Sequence, residues 1–187
     1  MRLCLILAHK YNLITHQCDY SNAYCQSPLD EDLYMEIPPR FCCDVRTKKL
    51  FRRKHARKHR NKYVLKLNMS LHGLRQADFN WFSFLTKFLL ENGFTQSYVE
   101  PCLFCSNEIV ILIYVDDTLF IPQSSLNDIL SALKRTFQLT DESDIHTFLG
   151  ISFATTSEGN ITLTQTTFID KVLSRSATSI VWSIALA

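Results

Sequence analysis

The stretch IVILIYVDDTLFI, residues 109–121, places two adjacent carboxylates between two strongly apolar runs. Residues 109–113 and 118–121 predict the strands of a buried hairpin with Asp116 and Asp117 at its tip. Charged groups resist leaving water unless they are paired or bound to a metal, and neighbouring like charges raise each other's pKa. The tip is therefore either a solvated turn, for which Asp is a common residue, or a site that faces a cation.

Composition describes a globular chain with one basic segment. The 187 residues are 47% hydrophobic and 20% charged, enough for one domain with a core. Ten of the 20 Lys and Arg residues lie between Arg46 and Lys62, and no acid occurs between Asp44 and Asp78. Seven Cys at irregular spacing, without a convincing signal peptide, predict reduced thiols in an intracellular protein. No apolar run is long enough to suggest a membrane span.

Hydrophobic periodicity predicts an α+β fold in which an antiparallel sheet carries helices on one face. Helices are predicted at residues 1–13, 76–92, 124–137 and 165–173, with Ser21 and Asn22 capping a short helical turn. Asp78 is expected to be the N-cap or a first-turn acid of the second helix, and Gly93 to end that helix. Strands are predicted at residues 14–20, 33–37, 63–67, 102–105, 109–115 and 118–121, with a hairpin formed by 148–153 and 160–163. Residues 40–62 are expected to be a basic loop.

Asp19 supplies a third carboxylate at the end of a predicted strand, as Asp116 does. If those strands are neighbours, Asp19, Asp116 and Asp117 converge. Carboxylate oxygens suit Mg²⁺, and two such ions about 3.5–4 Å apart promote in-line displacement at phosphorus. Such a convergence would make the tip a metal-dependent phosphoryl-transfer site, whereas the spacing of the two aspartates alone favours a solvated turn.

Five blocks lie in order along the chain: HQCDYSNAY (16–24), LYMEIPPRF (33–41), LNMSLHGLRQA (67–77) followed by Trp81, YVDD (114–117) and FLGI (148–151). Together they resemble the reverse transcriptase domain of Ty/copia-type LTR retrotransposon Pol polyproteins. The resemblance implies a polymerase palm over residues 1–173, with incomplete fingers and thumb and a basic insertion at 42–62. Residues 174–187 match nothing in the pattern. His72, Asp78 and Arg40 depart from the Tyr, Pro and Gly that the family has at these positions.

The resemblance also implies roles for individual residues. Asp19, Asp116 and Asp117 would be catalytic and would hold two Mg²⁺ ions, which Mn²⁺ could replace. Tyr24 would be a steric gate against the ribose 2′-OH, for which ordinary core packing is the alternative. Contacts to nucleotide or template would come from Tyr24, Gly73, Arg75, Gln76 and Tyr114, and contacts to the primer from Leu149 and Gly150.

The implied function is RNA-directed DNA polymerase, acting on an RNA or DNA template-primer and deoxynucleotides, with weak or no activity expected of the chain alone. An intact element would add integrase and RNase H and would act in a cytoplasmic virus-like particle or in the nucleus. A rival interpretation is an inactive remnant that binds nucleic acid through its basic residues: Arg52, Arg53, Lys54, Arg57, Lys58 and Arg60. That run is equally typical of a solvated, disordered segment.

A zinc-stabilised binding module is a third interpretation. Its candidate ligands are Cys42, Cys43, His55, His59, Cys102 and Cys105. Their scattered spacing argues against it, and Cys102 and Cys105 would point to opposite sides of a strand.

Overall fold

A computed structural model of the protein describes residues 2–11, 13–38, 51–52, 64–123, 125–142, 147–155, 161–166 and 168–175. Its helices are α1 (Arg2–Lys10), α2 (Ala77–Glu91) and α3 (Asn127–Thr136), with a 3₁₀ helix at Ala23–Gln26. Residues 168–175 are also helical. Within these described ranges, no helix is both long enough and apolar enough to cross a membrane.

Twelve strands form three antiparallel sheets in the described part of the chain. The largest has six strands in the order β5-β6-β7-β8-β1-β9. The other two have the orders β2-β4-β3 and β10-β11-β12. The strands are β1 (His16–Tyr20), β2 (Pro28–Glu36), β3 (Phe51–Arg52), β4 (Val64–Met69), β5 (Thr95–Gln96), β6 (Leu103–Cys105), β7 (Ile109–Tyr114), β8 (Asp117–Pro122), β9 (Leu139–Glu142), β10 (Thr147–Phe148), β11 (Ile151–Thr155) and β12 (Ile161–Thr164). The α+β prediction is confirmed.

The six-stranded sheet carries helices on both faces, so the prediction of one covered face is wrong. Tyr20 of β1 packs in one core cluster with Trp81 of α2 and Leu133 of α3. On the opposite face, Leu119 of β8 packs in a second cluster with Leu5 of α1. Strands β7 and β8 are apolar on both sides, as strands buried on two faces must be.

Helix α2 is built as its apolar stripe predicts. Trp81, Leu85 and Leu89 are all buried, and each such side chain stabilises the fold by about 1.5–3 kcal/mol. Gly93 has a φ of 84° and ends the helix. The Gly93 and Phe94 N–H groups donate to Leu90 and Leu89 carbonyls at 3.2 and 3.1 Å, the pattern of a Schellman motif. Asp78 lies in the first turn, and the N-cap is Gln76.

The structure differs from the sequence-based predictions at four places. Arg52 lies in strand β3, paired with Val64, so the basic loop is interrupted by a strand. Asn22 caps the 3₁₀ helix without a side-chain hydrogen bond; its φ of 52° is one that Asn tolerates. Strand β9 was not predicted, and residues 148–153 are two strands, not one. The break falls at Leu149 and Gly150, whose φ angles are 53° and 72°.

Candidate active site

The three aspartates meet where β1 and β8 pair. Asp19 lies directly opposite Asp117 in the antiparallel register. Tyr114 and Asp117 close the β7–β8 hairpin, so Val115 and Asp116 are its two turn residues. Asp19 and Asp117 are partly buried, and Asp116 is exposed. The strand that carries Asp19 thus neighbours β8, which begins at Asp117, and not β7, which leads to Asp116. The catalytic role of the three residues stays a prediction.

The turn is strained and is held from two sides. Val115 has a φ of 54°, which is costly for a β-branched residue and persists only where surrounding structure imposes it. The Trp81 indole N–H donates to the Val115 carbonyl oxygen at 2.6 Å. The Tyr20 backbone N–H donates to the Asp116 carbonyl oxygen at 2.8 Å. Helix α2 and strand β1 thus fix the position of Asp116 beside Asp19.

The three aspartate carboxylates are not grouped tightly enough to surround one ion. Gln17 Nε2 donates to Asp117 Oδ1 at 3.2 Å, which orients that side chain. Among the described residues, one group of three offers ligand atoms that all lie within 4.8 Å of one another, and the aspartates are not that group. The strand register brings the aspartates near one another, but their oxygen atoms do not converge on the position of a single ion. The donor set itself, oxygen atoms only, fits Mg²⁺ or Mn²⁺.

Tyr24 lies in the 3₁₀ helix, which is tied to the entry of β9. Gln26 Nε2 donates to the Gln138 carbonyl oxygen at 2.8 Å, and the Gln138 N–H donates to Gln26 Oε1 at 2.7 Å. The Tyr24 ring meets the His72 ring edge to face, with centroids 4.9 Å apart. A hydrogen bond to Asp78, burial, and the charges of Asp78 and Asp116 raise the pKa of Tyr24 to about 12. The negative charge of Asp116 thus contributes to the electrostatic environment of Tyr24.

Most of the remaining predicted contacts fall in two turns. Gly73 and Arg75 are exposed in the segment that leads into α2, where Gly73 has a φ of 88°. Because His72 in that segment contacts Tyr24, the segment borders the 3₁₀ helix. Leu149 and Gly150 form the two-residue turn between β10 and β11, closed by the pairing of Phe148 with Ile151. Tyr114 is 55% exposed at the end of β7.

Most of the predicted basic contacts lie outside the described residues. These are Arg53, Lys54, Arg57, Lys58 and Arg60, together with the candidate zinc ligands Cys42, Cys43, His55 and His59. Cys105 lies in β6 and Cys102 immediately precedes that strand.

Sequence reasoning missed a second cluster of ligand atoms, formed by His16, Cys18 and Asp141. His16 and Cys18 are two residues apart on β1, so their placement on one face could have been predicted. The placement of Asp141 could not have been predicted, because the polar residues of β9 do not have the alternating apolar pattern of a strand.

Comparison with known proteins identifies the family of the chain. The family model described as "Reverse transcriptase (RNA-dependent DNA polymerase)" matches residues 1–181. The chain is 32% identical over 181 residues to the retrovirus-related Pol polyprotein from transposon RE1 of Arabidopsis thaliana, covering 94% of the chain and 11% of that protein.

Two further relatives come from tobacco and yeast. The Pol polyprotein from transposon TNT 1-94 of Nicotiana tabacum is 28% identical, over 94% of the chain and 13% of its own length. The putative transposon Ty5-1 protein YCL074W of Saccharomyces cerevisiae is 27% identical, over 84% of the chain and 49% of its own length. The chain thus spans about a tenth of the length of the first two relatives. The chain belongs to the reverse transcriptase family, with relatives among the Pol polyproteins of Ty1/copia-type retrotransposons.

Proposed function

We propose that this chain is the catalytic palm of an RNA-directed DNA polymerase, which extends a primer along an RNA or DNA template by nucleotidyl transfer. The observation that carries the proposal is the register of β1 and β8, which sets Asp19 opposite Asp117 beside the turn that holds Asp116. Like charges directly opposite each other destabilise a sheet. Such a pair is explained if the residues act together on a cation.

Asp19, Asp116 and Asp117 would hold two Mg²⁺ ions, with Mn²⁺ as a substitute. When bound, these ions would activate the primer 3′-hydroxyl and stabilise the leaving pyrophosphate. The hydrogen bond from Gln17 would hold the Asp117 carboxylate in place through Oδ1. The hydrogen bond from Trp81 to Val115 would keep the turn from drifting when substrate enters.

Tyr24 would exclude ribonucleotides by standing where a ribose 2′-OH would lie. Its ring is fixed by the edge contact with His72 and by the hydrogen bond to Asp78. Gly73, Arg75, Gln76 and Tyr114 would contact nucleotide and template. Leu149 and Gly150, at the tip of the β10–β11 hairpin, would contact the primer end.

Primer extension tests this proposal. The full chain is incubated with a primed RNA template, deoxynucleotides, and Mg²⁺ or Mn²⁺. We expect slow extension, because the chain spans a small part of its relatives and near-attack geometry supplies much of a polymerase's rate. Asp116→Asn should lower the rate by about 100-fold or more, beyond the 10–100-fold typical of residues that only orient metal ligands. Asp128→Asn, an exposed acid in the first turn of α3, is the matched control.

Two results would contradict the proposal. Extension by Asp116→Asn at the parent rate would refute the assignment of Asp116 as a catalytic metal ligand. Complete absence of extension, under conditions where a longer polyprotein segment extends, would refute activity of the isolated chain.

A second candidate, an inactive remnant that binds nucleic acid, is favoured by the ten cations within residues 46–62. Each phosphate contact on duplex DNA adds about −0.9 to the slope of log affinity against log salt. Binding that weakens steeply with salt, in a chain that never extends a primer, would support this candidate. Replacing Arg57, Lys58 and Arg60 with uncharged residues should then reduce the steepness with which affinity falls as salt concentration rises.

For an intact element, the relatives' names as Pol polyproteins support further partners. Integrase and RNase H would work beside this domain, in a cytoplasmic virus-like particle or in the nucleus. Expression of the chain within a full polyprotein, followed by fractionation of reverse transcriptase activity, would test this placement.

A further inference from the structure

A second set of potential ligands lies on the face of the six-stranded sheet opposite the aspartates. Alternation along β1 puts Gln17 and Asp19 on one face and His16 and Cys18 on the other. Cys18 belongs to the core cluster that packs against α2 and α3. Asp141 of the neighbouring strand β9 pairs with Cys18 in register, so its side chain shares that face.

The three side chains converge closely. One ligand atom from each of His16, Cys18 and Asp141 lies within 4.8 Å of the others. Cys18 is fully buried, whereas the side chains of His16 and Asp141 are 14% and 28% exposed. An ion could therefore reach the cluster from the Asp141 side.

The His16 ring nitrogen and the Asp141 carboxylate are in direct contact within this cluster. Nε2 lies 2.5 Å from Asp141 Oδ1 and forms an ion pair with it, although the contact falls outside hydrogen-bond geometry. A bound cation would replace this direct contact, and the nitrogen and the carboxylate oxygen would move apart to become two of its ligands.

We propose that His16 Nε2, Cys18 Sγ and Asp141 Oδ1 bind a single Zn²⁺ ion, with water as the fourth ligand. A thiolate and an imidazole favour Zn²⁺ over Mg²⁺, since soft and borderline donors select the transition metal. Three protein ligands and a water are a common zinc coordination. On binding, the Cys18 S–H bond breaks, its proton passes to solvent, and the thiolate sulfur bonds the metal.

Lys134 of α3 would orient the carboxylate. Its ammonium group bonds Asp141 Oδ2 and leaves Oδ1 turned toward His16. Ligating carboxylates in zinc sites are commonly held in this way by a second hydrogen-bonding group. The ion would thereby link β1 to β9 directly and to α3 through Lys134. It would lie on the face of β1 opposite to Asp19.

The test uses the full chain, refolded without metal and then incubated with excess Zn²⁺ or Co²⁺, and needs no polymerase activity. We expect one equivalent of Zn²⁺ to remain after gel filtration, as measured by elemental analysis. Co²⁺ should give a thiolate charge-transfer absorption band. Cys18→Ser should abolish that band, whereas Cys105→Ser, at a half-buried cysteine in β6, should keep it.

Because Cys18 is fully buried, its substitution could also disturb folding. Asp141→Asn lies at a more exposed position and should keep the native circular dichroism spectrum while weakening Zn²⁺ binding by at least about 10-fold. Absence of bound Zn²⁺ in the parent chain would overturn the proposal. So would binding that survives both Cys18→Ser and Asp141→Asn but is lost in Cys42→Ser/Cys43→Ser, which would assign the ion to those cysteines.

Discussion

The indole N–H of Trp81 donates to the carbonyl oxygen of Val115 at 2.6 Å, so a buried residue of α2 directly holds the turn that presents Asp116. The two residues belong to different sequence blocks, and neither side chain is predicted to touch substrate. Their contact explains why a tryptophan is useful at this helical position, where any large apolar side chain could fill the core.

Trp81→Phe should therefore lower stability and activity together. Phe keeps most of the ring packing against Tyr20 and Phe137 but leaves the Val115 carbonyl without its donor. We expect a loss of about 1–3 kcal/mol in the free energy of unfolding, measured by urea denaturation. Phe84→Leu, which alters packing against Phe137 without touching the turn, is the control. An unchanged extension rate in Trp81→Phe would show that the hydrogen bond does not position Asp116.

Asp19→Asn should separate stability from function. Without metal, the substitution removes a like-charge pair across β1 and β8, and should raise the free energy of unfolding by about 0.2–1 kcal/mol. Added Mg²⁺ should stabilise the parent chain but not the variant. Both effects are measurable by urea denaturation with and without Mg²⁺, with Asp128→Asn as the control. A variant less stable than the parent in the absence of metal would mean that Asp19 is held mainly by other polar contacts.

Tyr24 should ionise only in strongly alkaline solution. Its pKa of about 12 reflects first the hydrogen bond to Asp78, so Asp78→Asn should lower that pKa toward 10. Because the folded pKa exceeds the unfolded value, the contribution of Tyr24 to stability is complete below pH 10 and is lost as pH rises toward 12. NMR of ¹³C-labelled tyrosine, with the Tyr24 signal assigned by Tyr24→Phe, measures the shift. An equal pKa in parent and Asp78→Asn would contradict the role of that hydrogen bond.

Gly150→Ala should destabilise the β10–β11 hairpin for a purely conformational reason. A Cβ at Gly150 would meet nothing within 4 Å, but the φ of 72° disfavours any L side chain. We expect a cost of about 1–2 kcal/mol in the free energy of unfolding. Gly93→Ala, at a φ of 84° and also in open space, should cost about the same and is the matched comparison. If Gly93→Ala lowers the free energy of unfolding and Gly150→Ala does not, the backbone at the tip of the β10–β11 hairpin can adjust to a side chain.

Some of this fold is predictable because local and tertiary signals agree. Residues 109–121 are apolar on both sides of the aspartates, and the stripe from Trp81 to Leu89 has clear helical spacing, so both elements follow from the pattern. Strand β9 escapes prediction because its residues Thr140 and Asp141 resemble a loop, and pairing with β1 decides their conformation. The turn at Leu149 escapes because a leucine at positive φ contradicts its own preference. Its packing against the second core cluster offsets that strain.

The order of strands in the six-stranded sheet has a consequence for synthesis. Strand β1 is made before both of its neighbours, β8 and β9, which follow much later in the chain; Gln17 and its partner Asp117 are 100 residues apart. Pairing across such a separation is slow, because loop closure must precede the contacts that stabilise it. During translation β1 therefore leaves the ribosome with two unpaired edges, each able to pair with another nascent chain. Recovery of soluble protein should accordingly depend on chaperones and on the rate of elongation.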